Sequence, residues 1–278
     1  MSNYLTMSNK YYDTALNLVK EAGEIVRNAS AKKKTVQMKS SDIDLVTETD
    51  QLVEQILIGR LQAEFPDHNR FIGEESIANG AQCILTDSPT WIIDPIDGTM
   101  NFIHGFPNFC ISIALLVNKV IEIGIVYNPL LDKLFTAQKN KGAFLNGKAI
   151  KVSQEVELEK ALLVVEFGTS KNPEKMKNVM ENFQKITPIV HGIRSMGSAA
   201  LNMAMVAMGA ADANFEFGIH AWDIAAGILI VEEAGGIVLD PSGGPLDLMS
   251  RRVLCASSKE LAIKLSENLV QFYPEPRD

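Results

Sequence analysis

The chain has 278 residues, 46% of them hydrophobic and 22% charged, enough for a sizeable core in one large domain or two intimate ones. Its formal net charge of −8 argues against nucleic acid or an anionic membrane as partner. It leaves an anionic substrate open, because bound metal ions reverse the local field.

No apolar run is long enough to span a bilayer, and the N-terminus lacks the apolar centre of a signal peptide. Cys83, Cys110 and Cys255 stand far apart in apolar surroundings and read as buried, reduced thiols. Together these features point to the cytoplasm.

In chain order, Ser8 reads as the N-cap of a first helix. Ala15, Leu18, Val19, Ala22, Ile25 and Val26 repeat there at helical spacing, and the helix ends near the basic run Lys32 to Lys34. The polar stretch from Lys39 to Asp50 reads as a mobile loop or short hairpin. A second helix carries Leu52, Val53, Ile56, Leu57 and Leu61 and is stopped by Pro66; Asp50, near its start, reads as a cap. Phe71-Ile-Gly-Glu-Glu-Ser76 looks like a strand edge that delivers Glu74.

Trp91-Ile-Ile93 reads as a buried strand that Pro95 halts. Just beyond it lie Asp94 and Asp97, the Ile96 carbonyl pushed out of the ladder, the Thr99 hydroxyl and the turn amides after Gly98. Acids at a strand end are commonly solvated turn residues or caps. This grouping of oxygen donors also suits a hard divalent cation, and the amides suit a phosphate.

Several antiparallel strands follow between Ile111 and Val152, with a hairpin at Asn146-Gly147. Ala161–Phe167 is a further strand. Pro173 opens a helix to about Ile186, and Gly197-Ser-Ala-Ala200 opens an apolar one. Ala211–Phe217 is a strand carrying Glu216. Ala221-Trp-Asp223 starts a helix closed by Gly235-Gly236, with Asp223 as a possible cap or dipole partner. Strands near Ile237–Leu239 and Val253–Ala256 and a last helix from Ser258 complete the chain. Helices alternating with meander-like strands predict a layered α/β sandwich. No Ser, Cys or His triad stands out; His104, His191 and His220 read as structural.

Trp91-Ile-Ile-Asp-Pro-Ile-Asp-Gly-Thr-Met-Asn-Phe102 and Trp222-Asp-Ile-Ala-Ala-Gly-Ile-Leu-Ile-Val-Glu-Glu-Ala-Gly-Gly236 resemble the two signatures of the inositol monophosphatase family, in the same order. Gly73-Glu-Glu-Ser76 and Val46-Thr-Glu-Thr-Asp50 resemble its other acidic motifs. Ile84 to Trp91 and Glu216 to Asp223 resemble the animal members. The resemblance runs over nearly the whole chain and implies a single domain, residues 1–278, with an αβαβα layered fold.

It also implies a homodimeric, Mg²⁺-dependent and lithium-inhibited phosphatase acting on inositol monophosphates. By resemblance, Glu74, Asp94 and the Ile96 carbonyl hold one metal, and Asp94, Asp97 and Asp223 a second; Glu74 serves a weaker third through water. Thr99 activates the attacking water, oriented by Asp50. The amides of Gly98 and Thr99 receive the phosphate. Asp97, Ala199 and Glu216 contact the inositol hydroxyls, with Gly197 and Ser198 shaping that wall. Lys39 lies on a mobile loop near the metals. Met100 departs from the second Thr common in close relatives. Rival readings are a nucleotide or sugar bisphosphatase, and a dimeric binding or regulatory module.

Overall fold

The structure, a computed structural model, describes residues 2–32, 36–41, 44–67, 70–168, 170 and 172–278; for residues 2–8, 36–41 and 44–46 it describes backbone only. Its first helix, α1, spans Ser2–Ser30, so Ser8 is an interior residue and not a cap. The buried stripe of Ala15, Leu18, Val19, Ala22 and Val26 follows the expected spacing. Lys33 and Lys34 lie outside the described residues. Strands β1 (Val36–Ser41) and β2 (Asp44–Thr47) form a hairpin, with Lys39 on β1. Helix α2 is Glu48–Glu64.

The larger sheet runs in chain order through β3 (Arg70–Gly73), β4 (Thr90–Asp97), β5 (Cys110–Val117), β6 (Val120–Asn128), β7 (Lys133–Gln138), β8 (Ala143–Leu145) and β9 (Lys148–Ala149). Only β3 and β4 are parallel; the remainder is a meander. Two short helices, α3 (Glu74–Ala78) and α4 (Thr99–His104), follow β3 and β4. The second sheet contains β10 (Leu162–Val165), β11 (Gly192–Arg194), β12 (Ala213–Phe217), β13 (Ile237–Leu239) and β14 (Arg252–Ala256), in the order β11-β10-β12-β14-β13. The other helices are α5 (Pro173–Ile186), α6 (Ala199–Ala207), α7 (Ala221–Glu233) and α8 (Lys259–Ser266).

Alternation along the strands sets the layers. Trp91, Ile93, Ile111, Ile113 and Leu115 face α1 and α2, while Ile92, Ala114, Leu116 and Val126 face α6 and α7. Val164, Val253 and Cys255 of the second sheet pack on α6 and α7 from the other side. Leu163, Val165, Phe215 and Leu254 turn away to meet Ile186 of α5 and Leu261 and Leu265 of α8. The result is α–β–α–β–α. Sandwiched between two sheets, α6 and α7 are apolar nearly all round, as a helix without a water-facing side must be.

The close approach of α7 to the first sheet depends on Gly124 of β6. A Cβ there would lie 2.6 Å from the Ala226 carbonyl oxygen. Cys110 and Cys255 are buried and Cys83 is half-buried; all three are free thiols. Among the described residues no helix is long and apolar enough to cross a membrane.

Replacing Gly124 by valine is expected to push α7 off the sheet and lower the unfolding free energy by about 1–3 kcal/mol, measurable by urea denaturation.

Candidate active site

Residues three apart on a regular strand point to opposite faces, so Asp94 and Asp97 should diverge. They do not, because β4 bulges. Asp94 pairs with Ser112 and Asp97 with Cys110, three residues against two, and neither Pro95 nor Ile96 has a partner on β5. Pro95 therefore does not halt the strand, as the sequence suggested; it bulges it, and both carboxyls emerge toward α6 and α7. The parallel register places Gly73 beside Ile93, so Glu74, first residue of α3, reaches Asp94 and shares a hydrogen bond with it. Glu54, buried on α2, fixes α3 by accepting from the Glu75 and Ser76 amides, each at 2.8 Å.

Asp97 sits on the start of α6. Its carboxylate accepts from the Ser198 hydroxyl at 2.6 Å, the Ala200 amide at 2.7 Å and the Ala199 amide at 3.3 Å. The Ala199 amide is thus committed to Asp97. Asp223 caps α7, accepting from the His220 amide at 2.7 Å. The same carboxyl also joins the others: Asp94, Asp97 and Asp223 each offer an oxygen within 4.8 Å of the other two.

This grouping is electrostatically unfavourable by itself. Burial, then Glu74, Asp97 and Asp223, raise the Asp94 carboxyl well above its ordinary range. Burial and Asp223 push Asp97 up to about 7, against the pull of Ser198 and the α6 amides. Burial chiefly pushes Asp223 to about 6, partly offset by His220. Three gathered carboxyls with a fourth in contact form an all-oxygen donor set. A hard divalent cation fits them and removes their mutual repulsion.

The Thr99 hydroxyl lies 2.9 Å from the Ile96 carbonyl and 3.3 Å from Asp50. Asp50 is also the N3 residue of a capping box with Thr47, so the capping reading and a contact to Thr99 both hold. Gly98 makes the turn possible: at φ 90° it adopts the left-handed region, and a Cβ would meet the Gly197 carbonyl oxygen at 2.9 Å. Glu216 is buried on β12, and its Oε2 has no hydrogen-bond partner. Lys39 lies on β1, but its side chain is outside the described residues.

The profile of the inositol monophosphatase family matches residues 7–271. The chain belongs to the inositol monophosphatase family. Among relatives of this phosphoric monoester hydrolase, inositol monophosphatase 1 of Bos taurus is 51% identical over 267 residues, 96% of either chain. Two solved structures superpose well. Extragenic suppressor protein suhB from Bartonella henselae has a TM-score of 0.83 at 32% identity, covering 93% of this chain and 98% of that one. The inositol monophosphatase from Anabaena (Nostoc) sp. has a TM-score of 0.81 at 33% identity, covering 94% of this chain and 95% of its own.

Several supports of this inositol monophosphatase-family site went unread in the sequence. Glu166, just after β10, accepts from the Met196 amide at 2.6 Å, the Gly197 amide at 2.8 Å and the Asn202 side chain at 2.8 Å, fixing the loop before α6. Asp278 accepts from the Ala221 amide at 2.8 Å and pairs with His220 at 2.6 Å, bracing the start of α7. A charge at position 54 on the stripe of Val53, Leu57 and Leu61 was the one local signal available for Glu54.

A carboxyl whose pKa is higher folded than unfolded favours folding fully below its unfolded value, ordinarily 3.8 here, and loses that contribution as pH rises through its folded value, about 7 for Asp97 and about 6 for Asp223. The metal-free protein is therefore expected to lose about 5 °C or more of melting temperature between pH 4.5 and 7.5. Millimolar Mg²⁺ should flatten that slope, as read by differential scanning fluorimetry.

Proposed function

We propose that this protein hydrolyses inositol monophosphates to myo-inositol and phosphate in a Mg²⁺-dependent, lithium-sensitive reaction. The observation that carries this reading is the gathering of Asp94, Asp97 and Asp223 beside a threonine hydroxyl that Asp50 backs. The 51% identity to inositol monophosphatase 1 supports the choice of substrate. In this reading Glu74, Asp94 and the Ile96 carbonyl hold one Mg²⁺, and Asp94, Asp97 and Asp223 a second; a third is served by Glu74. Lithium competes at these carboxylates. We further propose that the chain acts as one phosphatase unit, as a cytoplasmic homodimer.

Phosphate monoesters hydrolyse extremely slowly unaided, so the site must stabilise developing charge strongly. Bound Mg²⁺ supplies Lewis-acid stabilisation and lowers the pKa of water. The chain's own groups do the positioning. Thr99 has one hydroxyl proton and two acceptors, the Ile96 carbonyl at 2.9 Å and Asp50 at 3.3 Å. Whichever acceptor takes that proton, the lone pairs of Oγ1 are left to accept from the attacking water and orient it. The amides of Gly98 and Thr99 receive the phosphate oxygens. Asp97, held by α6, and Glu216 accept hydrogen bonds from the inositol hydroxyls, with Ala199, Gly197 and Ser198 forming the wall between them.

Phosphate release from inositol 1-phosphate tests the whole reading. It should require Mg²⁺, stop with EDTA and fall with lithium; release only from nucleotide or sugar bisphosphates would reassign the pocket. Asp94→Asn should stay folded and lose at least about 10³-fold in turnover, since it removes a shared ligand of a two-metal site. Glu216→Gln should reduce kcat/KM for inositol 1-phosphate about tenfold more than for p-nitrophenyl phosphate, which has no polyol to bind.

A further inference from the structure

Among the described residues, Lys175 is an unusual cation. It is the third residue of α5, where the positive end of the helix dipole disfavours it, and the residue is only 3% exposed. Lysine is almost never buried so fully without a partner. Yet among the described residues it makes no ion pair at 4.0 Å or closer.

Its ammonium group lies where β10 and β12 end. The Nζ occupies the space beside Gly168 and Gly218, 2.8 Å from where a Cβ on Gly218 would stand. Those glycines follow Glu166 and Glu216 by two residues each. Glu166 has its own donors in the loop before α6. Glu216 is buried, and its Oε2 has none.

The charges facing Glu216 are Glu166 after β10, Asp97 on β4, Asp223 on α7 and Lys175 on α5. The first three oppose its ionisation and Lys175 favours it; with burial, the leading cause, the balance raises the carboxyl well above its ordinary range, and Lys175 is the cation pulling it back. The same pairing appears from the other side: burial lowers the lysine, and Glu216 is the first influence holding it up.

We propose that Lys175 is a specificity-determining positioning residue, the buried cation whose charge favours Glu216 as a carboxylate acceptor for the hydroxyls of a polyol phosphate. The inference rests on the proposed reaction for its substrate but not for the coupling of the two charges. Lys175 stands behind Glu216 and touches no substrate. Its charge favours ligands with hydroxyl donors at the end remote from phosphate.

Two measurements on the full-length protein test this. The first is a double-mutant cycle in urea with Lys175→Met, Glu216→Gln and the pair. Lys175→Met should lower the midpoint of the otherwise native protein, because it strands a buried carboxylate. In the Glu216→Gln background it should leave the midpoint unchanged or raise it, because an unneeded buried charge is removed. Additive midpoints would overturn the proposal.

The second compares substrates. Lys175→Met should raise KM for inositol 1-phosphate about tenfold with little change in kcat, and should move KM for p-nitrophenyl phosphate less than about twofold. Equal changes on both substrates, or further loss when Lys175→Met is added to Glu216→Gln, would remove its role in specificity. If the native protein released no phosphate from inositol 1-phosphate, the proposed reaction would fail, and the urea cycle alone would still decide whether Lys175 is the counter-ion.

Discussion

Like charges do not gather in a protein interior unless something holds them there. Asp94, Asp97 and Asp223 offer oxygens within 4.8 Å of one another, and Glu74 touches the first. Much of this architecture answers that repulsion. The bulge in β4 turns two acids to one side, β3 brings up the third, and α7, wedged between two sheets, delivers the fourth. A less rigid arrangement would let the carboxyls separate and take up water.

One device recurs: a carboxylate placed on the first amides of a helix. Asp50 does this for α2, Glu54 for α3, Asp97 for α6, and Asp223 and Asp278 for α7. Backbone amides and the positive helix end favour the ionised form without adding a mobile cation that would compete for the site. Several of these acids therefore have two jobs. Asp223 both caps its helix and lies among the clustered acids; Asp50 both closes a capping box and meets Thr99. A cap and a site residue are not alternatives when the site is built where helices begin.

Much of this was legible because the signals are local. Pro173 opens α5, which ends at Ile186 as expected, and Ser198 and Ser258 stand just before α6 and α8 as their caps. Where the reading went astray, a longer-range effect had overridden the local one. Ser8 resembles a cap, but α1 continues back to Ser2. Pro95 resembles a terminator, but β5 pairs on both sides of the bulge. Helices α3 and α4 are too short to show a period. Glu166 and Lys175 look like ordinary surface charges in the sequence. The pairing of β10 with β12 brings Glu166 beside Glu216, and the start of α5 places Lys175 beside Gly168 and Gly218 at the ends of those strands.

The bulge also explains why the two acids of β4 are separated by two residues and not one. Acids flanking a single residue would already share a face on a regular strand. Alignment of the side chains is therefore not what the extra residue contributes. It contributes main chain: Ile96, out of register with β5, whose carbonyl accepts from the Thr99 hydroxyl at 2.9 Å. Shortening the segment by one residue would keep a pair of acids on the same side of the sheet while removing the anchor of that hydroxyl. At this point of the chain, length matters more than side-chain identity.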